Sequence, residues 1–349
     1  MARQLRIGAR LISDDDDCYV IAEIGHNHQG RLETARQLFK AAKECGVTAV
    51  KLQKRHNATL YTKALYNQEY DNENSFGPTY GAHREALEFD RAQYTELKAY
   101  ADELDLTFFA TAFDEASADF LAALDMPAYK IASGDLTNLP LLTHVAGIGK
   151  PMIVSTGGAT FDDVRRAYDA VMPINRQLCL LQCTASYPVE PEDMNLRVIS
   201  TYRDAFPEVV VGLSDHQNGI AMADAAYLLG ARVVEKHFTL NRAWKGSDHA
   251  FSLEPEGMRK LVRDLHRVRV ALGDGLKRAL PSEAGPLRKM SKSLVAMTDL
   301  AAGQVVTRTD VAIKSPGGGL PPYELGRVVG RTVRRPLGTD SPFRFEDLE

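Results

Sequence analysis

Apolar residues along the chain fall into eight short runs, at 19–22, 49–51, 107–110, 128–131, 151–154, 178–183, 209–213 and 232–234. Each has the length of a strand and ends in a polar burst. Between most of them lies a segment with helical spacing of apolar positions. LETARQLFKAAKECG places Ala35, Leu38, Phe39, Ala42 and Cys45 on one face and stops at Gly46. FDEASADFLAALDMP opens with acidic residues, where the helix dipole favours them. NGIAMADAAYLLGA runs to a glycine stop at Gly230. Eight strands alternating with helices predict an α/β chain folded as a (β/α)8 TIM barrel. A doubly wound open sheet shares the alternation, but no GxGxxG opens a helix after a strand.

Two stretches break the rhythm. Residues 54–90, KRHNATLYTKALYNQEYDNENSFGPTYGAHREALEFD, are too long for a helix alone. Mixed aromatic and charged residues mark them as a binding loop over the barrel mouth. Past residue 275 the chain turns polar, then breaks into short alternating runs with turn signals. The expected domains are a barrel at 1–280, a linker at 281–293 and a small β-rich domain at 294–349. So small a domain has a thin core and is expected to pack on something else.

A formal net charge of -4 argues against nucleic acid or an anionic membrane as partner. Cys18, Cys45, Cys179 and Cys183 match no zinc spacing and read as reduced thiols of a cytoplasmic protein. MARQLRIGARLISDDDD carries no run of signal-peptide length, and no stretch approaches transmembrane length.

The candidate chemistry collects at the carboxyl ends of the strands, where a barrel forms its mouth. Glu23 ends the first run, KLQK brings Lys51 and Gln53, and Thr111 ends the third. KIASGD brings Lys130, Ser133 and Asp135, while STGGAT, QCTASYP, SDH and EKH end the last four. Two lysines among small hydroxyls predict a cationic pocket for a phosphate and a carboxylate. The alternative is a single buried lysine forming a Schiff base, as in class I aldolases. His216 and His237 follow neighbouring strands and could share a divalent metal, or simply hydrogen-bond to loop carbonyls.

Taken together, IAEIGHNHQG, AVKLQK, FDEASADFL, KIASGDLTNLPLL, PMIVSTGGA, LQCTASYPVEPEDMNLRVIS, GLSDHQNGIA and EKHFTLNRAWKGSDHAFSLEP resemble the motifs of the sialic acid synthase family, in its order. The tail resembles that family's antifreeze-like SAF domain. TYGAHREALEF, KECG, SGD and WKGSDH look closest to the animal enzymes that make sialic acid 9-phosphate. The resemblance implies a transferase that condenses phosphoenolpyruvate with an N-acetylmannosamine-type aldose, assisted by manganese or magnesium. It further implies a homodimer in which the tail of one chain covers the barrel mouth of the other.

By the same resemblance His216 and His237 are metal ligands. Lys51, Gln53, Thr111, Lys130, Ser133, Ser155 and Ser214 cradle phosphoenolpyruvate, and Glu23 handles a proton or positions water. Asp135, Thr184, Tyr187 and Asp248 stand where the family binds substrate. The chain departs from many bacterial members at two acceptor positions. Ser315, in KSPGGG, replaces a tail arginine, and Asp135 replaces a glutamate. The reaction type is therefore better specified than the acceptor. A non-catalytic sugar-binding barrel is the remaining alternative.

Overall fold

In a computed structural model describing residues 3–349, the chain divides into two compact units, meeting at Gly273 and Asp274. The first is the expected TIM barrel. A hairpin comes first, β1 (Gln4–Ile7) and β2 (Arg10–Ser13). Eight parallel strands follow: β3 (Tyr19–Gly25), β4 (Ala49–Lys54), β5 (Thr107–Ala112), β6 (Tyr129–Ile131), β7 (Met152–Ser155), β8 (Leu178–Cys183), β9 (Val210–Asp215) and β10 (Val233–His237). They close in chain order, with β10 pairing β3.

Most of these strands run two or three residues beyond the apolar runs. Glu23, Gln53 and His237 therefore lie inside strands rather than past their ends. Side chains alternate between the two faces of each strand. Val20, Val50, Phe108, Ile131, Val154, Val211 and Val234 face outward into the helix layer. Tyr19, Ile21, Ala49, Phe109, Ile153, Cys179, Leu181 and Val233 form the inner core.

The hairpin was not among the expected elements. Its Leu5, Ile7 and Ile12 belong to the inner core, so it closes the amino-terminal end of the barrel. Gly212, on the inner face of β9, leaves no room for a Cβ against the Val233 carbonyl and the Leu181 side chain.

The helices match the periodicity. Leu32–Glu44 buries Ala35, Leu38, Phe39 and Ala42 and ends before Gly46 at φ +84°. Glu115–Ala122 is capped by Asp114, which accepts from the Ser117 amide. The long segment at 54–90 folds into short helices, Asn57–Leu60, Lys63–Tyr66 and Tyr80–Glu85.

The second unit pairs β11 (Ser293–Ala296) with β12 (Val311–Lys314) in antiparallel register. Its core gathers Leu294, Leu300, Val306, Val328, Val333, Leu337 and Phe343. The stretch read as a linker carries a helix, Ala284–Met290, and belongs to this unit. Among the described residues no helix is long and apolar enough to cross a membrane.

Candidate active site

The inner face that is apolar low in the barrel turns polar at the carboxyl-terminal end. Glu23, Lys51, Gln53, Thr111, Lys130, Ser155, Cys183, Ser214, Glu235 and His237 continue the inward parity of Ile21, Ala49, Phe109, Ile153, Leu181 and Val233. They line one cavity of about 440 Å3. Every strand of the barrel contributes a side chain to it.

The floor of the cavity is charge-balanced. Lys51 Nζ lies 2.7 Å from Glu23 Oε2 and donates to Thr111 Oγ1 at 2.7 Å. Lys130 Nζ donates to Ser155 Oγ at 2.6 Å and to the Ile131 carbonyl at 2.9 Å. Glu235 stands 3.8 Å from each lysine and accepts from Ser214 Oγ. The cationic pocket expected from the two lysines is thus matched by two carboxylates.

Burial pushes Glu23 up to about 7, against the pull of Lys51. Burial works in the same direction on Glu235, but Lys130 and Lys51 outweigh it and hold that carboxyl below its ordinary value. Burial also lowers the Lys130 ammonium.

Gly25 fixes where Glu23 sits. The pairing of β3 with β4 slips between Glu23 and Gly25, and Gly25 takes φ +53°. A Cβ there would stand 3.1 Å from Gln53 Nε2 and 3.2 Å from Glu23 Oε1. In the space thus left, Gln53 donates to Glu23 at 2.7 Å.

His216 follows β9 and His237 ends β10, with ring centroids 5.3 Å apart. The Thr184 carbonyl, 3.0 Å away, accepts from His216 Nδ1, which therefore carries the proton and leaves Nε2 free. Burial, then His237, lowers His216 to about 4. Burial likewise lowers His237, whose Nδ1 is buried without a hydrogen-bond partner, 3.8 Å from Asp248 Oδ2. Both rings are neutral at neutral pH, the form that ligates metal. Among the described residues no cluster of three or more His, Cys, Asp or Glu is arranged to hold an ion. Two neutral imidazoles, one with an orphaned buried nitrogen, are the residues that could hold a divalent ion.

The Tyr187 ring lies tilted against His216, centroids 4.2 Å apart, and Phe251 stands 4.8 Å from His237. Ser133, which accepts from the Gly157 amide, and Asp248 also line the cavity.

Two expected residues of the barrel do not line it. Asp135 sits on the turn Ser133–Asp135, bonded to Asn138. The Thr184 hydroxyl donates to the Asp193 carbonyl, and Thr184 serves His216 through its own carbonyl. Ser315 lies in the second unit, where it accepts from Lys292.

Among the lining residues that sequence reasoning left without a role are Glu235, His26, Arg55 and Arg84. The alternation in EKH, which puts Glu235 and His237 on one face, was the legible signal for the first.

The model of the NeuB family matches residues 38–277. The chain belongs to the NeuB family. A SAF domain model matches residues 291–349. This NeuB-family chain is 40% identical over 341 residues to the N-acetylneuraminate-9-phosphate synthase of Mus musculus, covering 97% of this chain and 95% of that protein. It is 37% identical to the N,N'-diacetyllegionaminic acid synthase of Legionella pneumophila, covering 95% of each. A crystal structure of the N-acetylneuraminic acid synthetase of Leptospira borgpetersenii superposes with a TM-score of 0.71 at 30% identity, covering 82% of this chain and 96% of that one. The chain is thus a sialic or nonulosonic acid synthase by family, with a TIM barrel and a SAF domain.

Proposed function

We propose that this chain condenses phosphoenolpyruvate with the open-chain aldehyde of an N-acetylmannosamine-type aldose or its 6-phosphate. The observation that carries this reading is one cavity holding a lysine–carboxylate floor beside two neutral histidines. C3 of phosphoenolpyruvate bonds to the aldehyde carbon, water adds at C2, and the C2–O bond breaks to release phosphate. Water gives up its two protons, one to the aldehyde oxygen and one to the departing phosphate, and a nine-carbon 2-keto acid remains.

Lys51 and Lys130, with Thr111, Ser133, Ser155 and Ser214, bind the phosphate and carboxylate through charge-assisted and hydroxyl contacts. Glu23, titrating near 7, exchanges a proton with the water that adds at C2, and Gln53 holds it in place. Tyr187 and Asp248 orient the acceptor beside the histidines. A divalent ion, manganese or magnesium, held by His216 and His237 would polarise the acceptor's carbonyl oxygen as a Lewis acid. The homodimer with an exchanged tail is part of the same proposal, because a covered mouth keeps bulk water from the reacting carbons.

Phosphate release from phosphoenolpyruvate by the purified chain tests this. Release is expected only with both an acceptor and divalent metal. Chelation abolishes it and manganese restores it. His216→Ala or His237→Ala abolishes it in a folded protein. Full activity after chelation contradicts the metal assignment.

The lowered Lys130 ammonium favours a second reading, a Schiff-base aldolase. Borohydride with substrate would trap an adduct on Lys130 in that case alone.

A further inference from the structure

Four cationic side chains are buried among the described residues: Lys51, Arg55, Lys130 and Lys236. Lys51 is matched by Glu23, Lys130 by Glu235, and Lys236 by Asp215 at 2.7 Å. Arg55, 7% exposed and lining the cavity, has no carboxylate in ion-pair contact among the described residues. Neither has Arg84, half-buried on the helix Tyr80–Glu85 and lining the same cavity. Glu88, four residues beyond Arg84, is engaged by Lys54 at 2.8 Å. Asp248 lies close enough to perturb Arg84 but forms no ion pair with it.

What these two guanidinium groups touch is short of acceptors. Arg55 donates to Gln53 Oε1 at 2.7 Å and approaches His26 Nε2 at 3.2 Å. Arg84 directs two nitrogens at the single Tyr80 oxygen and a third at His26 Nδ1, 3.3 Å away. A neutral imidazole has one acceptor nitrogen, so one of the two arginines faces an N–H. Two guanidinium groups carry ten N–H donors between them. Phe113, with its ring centroid 3.6 Å from the Arg55 guanidinium, fixes the plane of that fork. The cluster lacks what a phosphate supplies: negative charge and several acceptor oxygens.

Its place in the cavity distinguishes it from the lysine floor. Arg55 is the first residue beyond β4, and Arg84 comes from the segment inserted after that strand. Four residues of extended chain separate the Cα atoms of Lys51 and Arg55 by about 13 Å, at roughly 3.3 Å per residue. That is the scale of a hexose phosphate laid against phosphoenolpyruvate, not of a three-carbon acid alone.

We propose that Arg55 and Arg84 form a second anion subsite that takes the terminal phosphate of the acceptor, so that the substrate is an aldose 6-phosphate. This assignment rests on the synthase reading of the cavity.

The test compares N-acetylmannosamine with its 6-phosphate as acceptor for the full-length chain with manganese and phosphoenolpyruvate. A charge-assisted contact contributes on the order of tenfold to hundredfold. The wild type is therefore expected to favour the 6-phosphate by about 100-fold or more in kcat/KM. Arg84→Ala and Arg55→Gln each remove most of that preference and leave the KM for phosphoenolpyruvate little changed, while Arg84→Lys retains part of it. A preference for the unphosphorylated sugar overturns the proposal. So does an equal loss on both acceptors, or a matching rise in the KM for phosphoenolpyruvate. Should Arg55→Gln not fold, Arg84→Ala on the half-buried helix carries the test.

Calorimetric titration with N-acetylmannosamine 6-phosphate, without phosphoenolpyruvate, reads the subsite independently of turnover. If the ligand binds, the variants lose it and no acceptor turns over, the subsite stands and the synthase reading falls. If turnover proceeds and the variants bind and react as the wild type does, the synthase reading stands and the subsite falls.

Discussion

Gly25 shows how one residue can decide the chemistry of this barrel. Its positive φ strains any side chain placed there, and a Cβ would crowd Gln53 and Glu23. Gly25→Ala is expected to cost about 1 kcal/mol of stability through the strained backbone. It is also expected to lower kcat at least about tenfold, because Glu23 leaves its hydrogen bond to Gln53 and a general base contributes about 10²–10⁴-fold. Steady-state kinetics with a thermal melt separate the two effects, and a wild-type kcat contradicts this role for Gly25. Legibility at this scale follows strand parity. Residues on the inward face near a strand end, such as Lys51, Thr111, Lys130 and Ser155, were readable because a polar residue after an apolar run is conspicuous. Glu235 was equally readable in position but not in role, since its role depends on standing between two lysines from other strands. Asp135 and Thr184 looked like their neighbours in the motif, yet local turns engage them elsewhere.

Among the elements, the strands of the barrel and their order were legible because burial on both faces makes them apolar and their helices keep a 3.6-residue period. The hairpin of β1 and β2 escaped because four residues per strand carry little pattern. Its role as a plug depends on the hole left at the bottom of the barrel. Asp14, just after β2, ties it down through Arg203 at 2.8 Å, Arg3 at 3.3 Å and Arg232 at 3.6 Å. The hydrogen bond from Arg203 leads the interactions that hold the Asp14 carboxyl below its ordinary value, against the cost of burial. A depressed acid stabilises the fold above its unfolded value, near 4, and that contribution disappears as pH falls through the folded value. Asp14→Asn is therefore expected to be less stable than the wild type at neutral pH. The gap should close as pH falls below about 4. Denaturant melts at both ends of the range check this, and a gap unchanged in acid contradicts it. The segment at 54–90 was readable as a functional insertion from its length and composition. That it folds into short helices and brings Arg84 to the cavity was not, because four- to six-residue helices depend on tertiary packing.

For the molecule as a whole, the two-unit architecture was visible in the change of patterning after residue 275, although the boundary falls at Gly273 and the stretch read as a linker is partly helical. The exchanged-tail dimer is tested by mixing a full-length chain carrying His216→Ala with a chain ending at residue 290. Each is expected to be inactive alone. After subunit exchange the intact barrel meets the mutant chain's tail, and activity returns. Confirmed exchange without activity contradicts the shared mouth. The central claim is the condensation itself, in which water attacks C2 and phosphate leaves with the bridging oxygen. It is tested most directly with phosphoenolpyruvate carrying 18O in the C2–O–P bridge, incubated with the full-length chain, manganese and N-acetylmannosamine 6-phosphate. The label is expected in the released phosphate, with a nine-carbon 2-keto acid formed in equal amount. Label retained in the organic product, or phosphate released without that acid, contradicts the account.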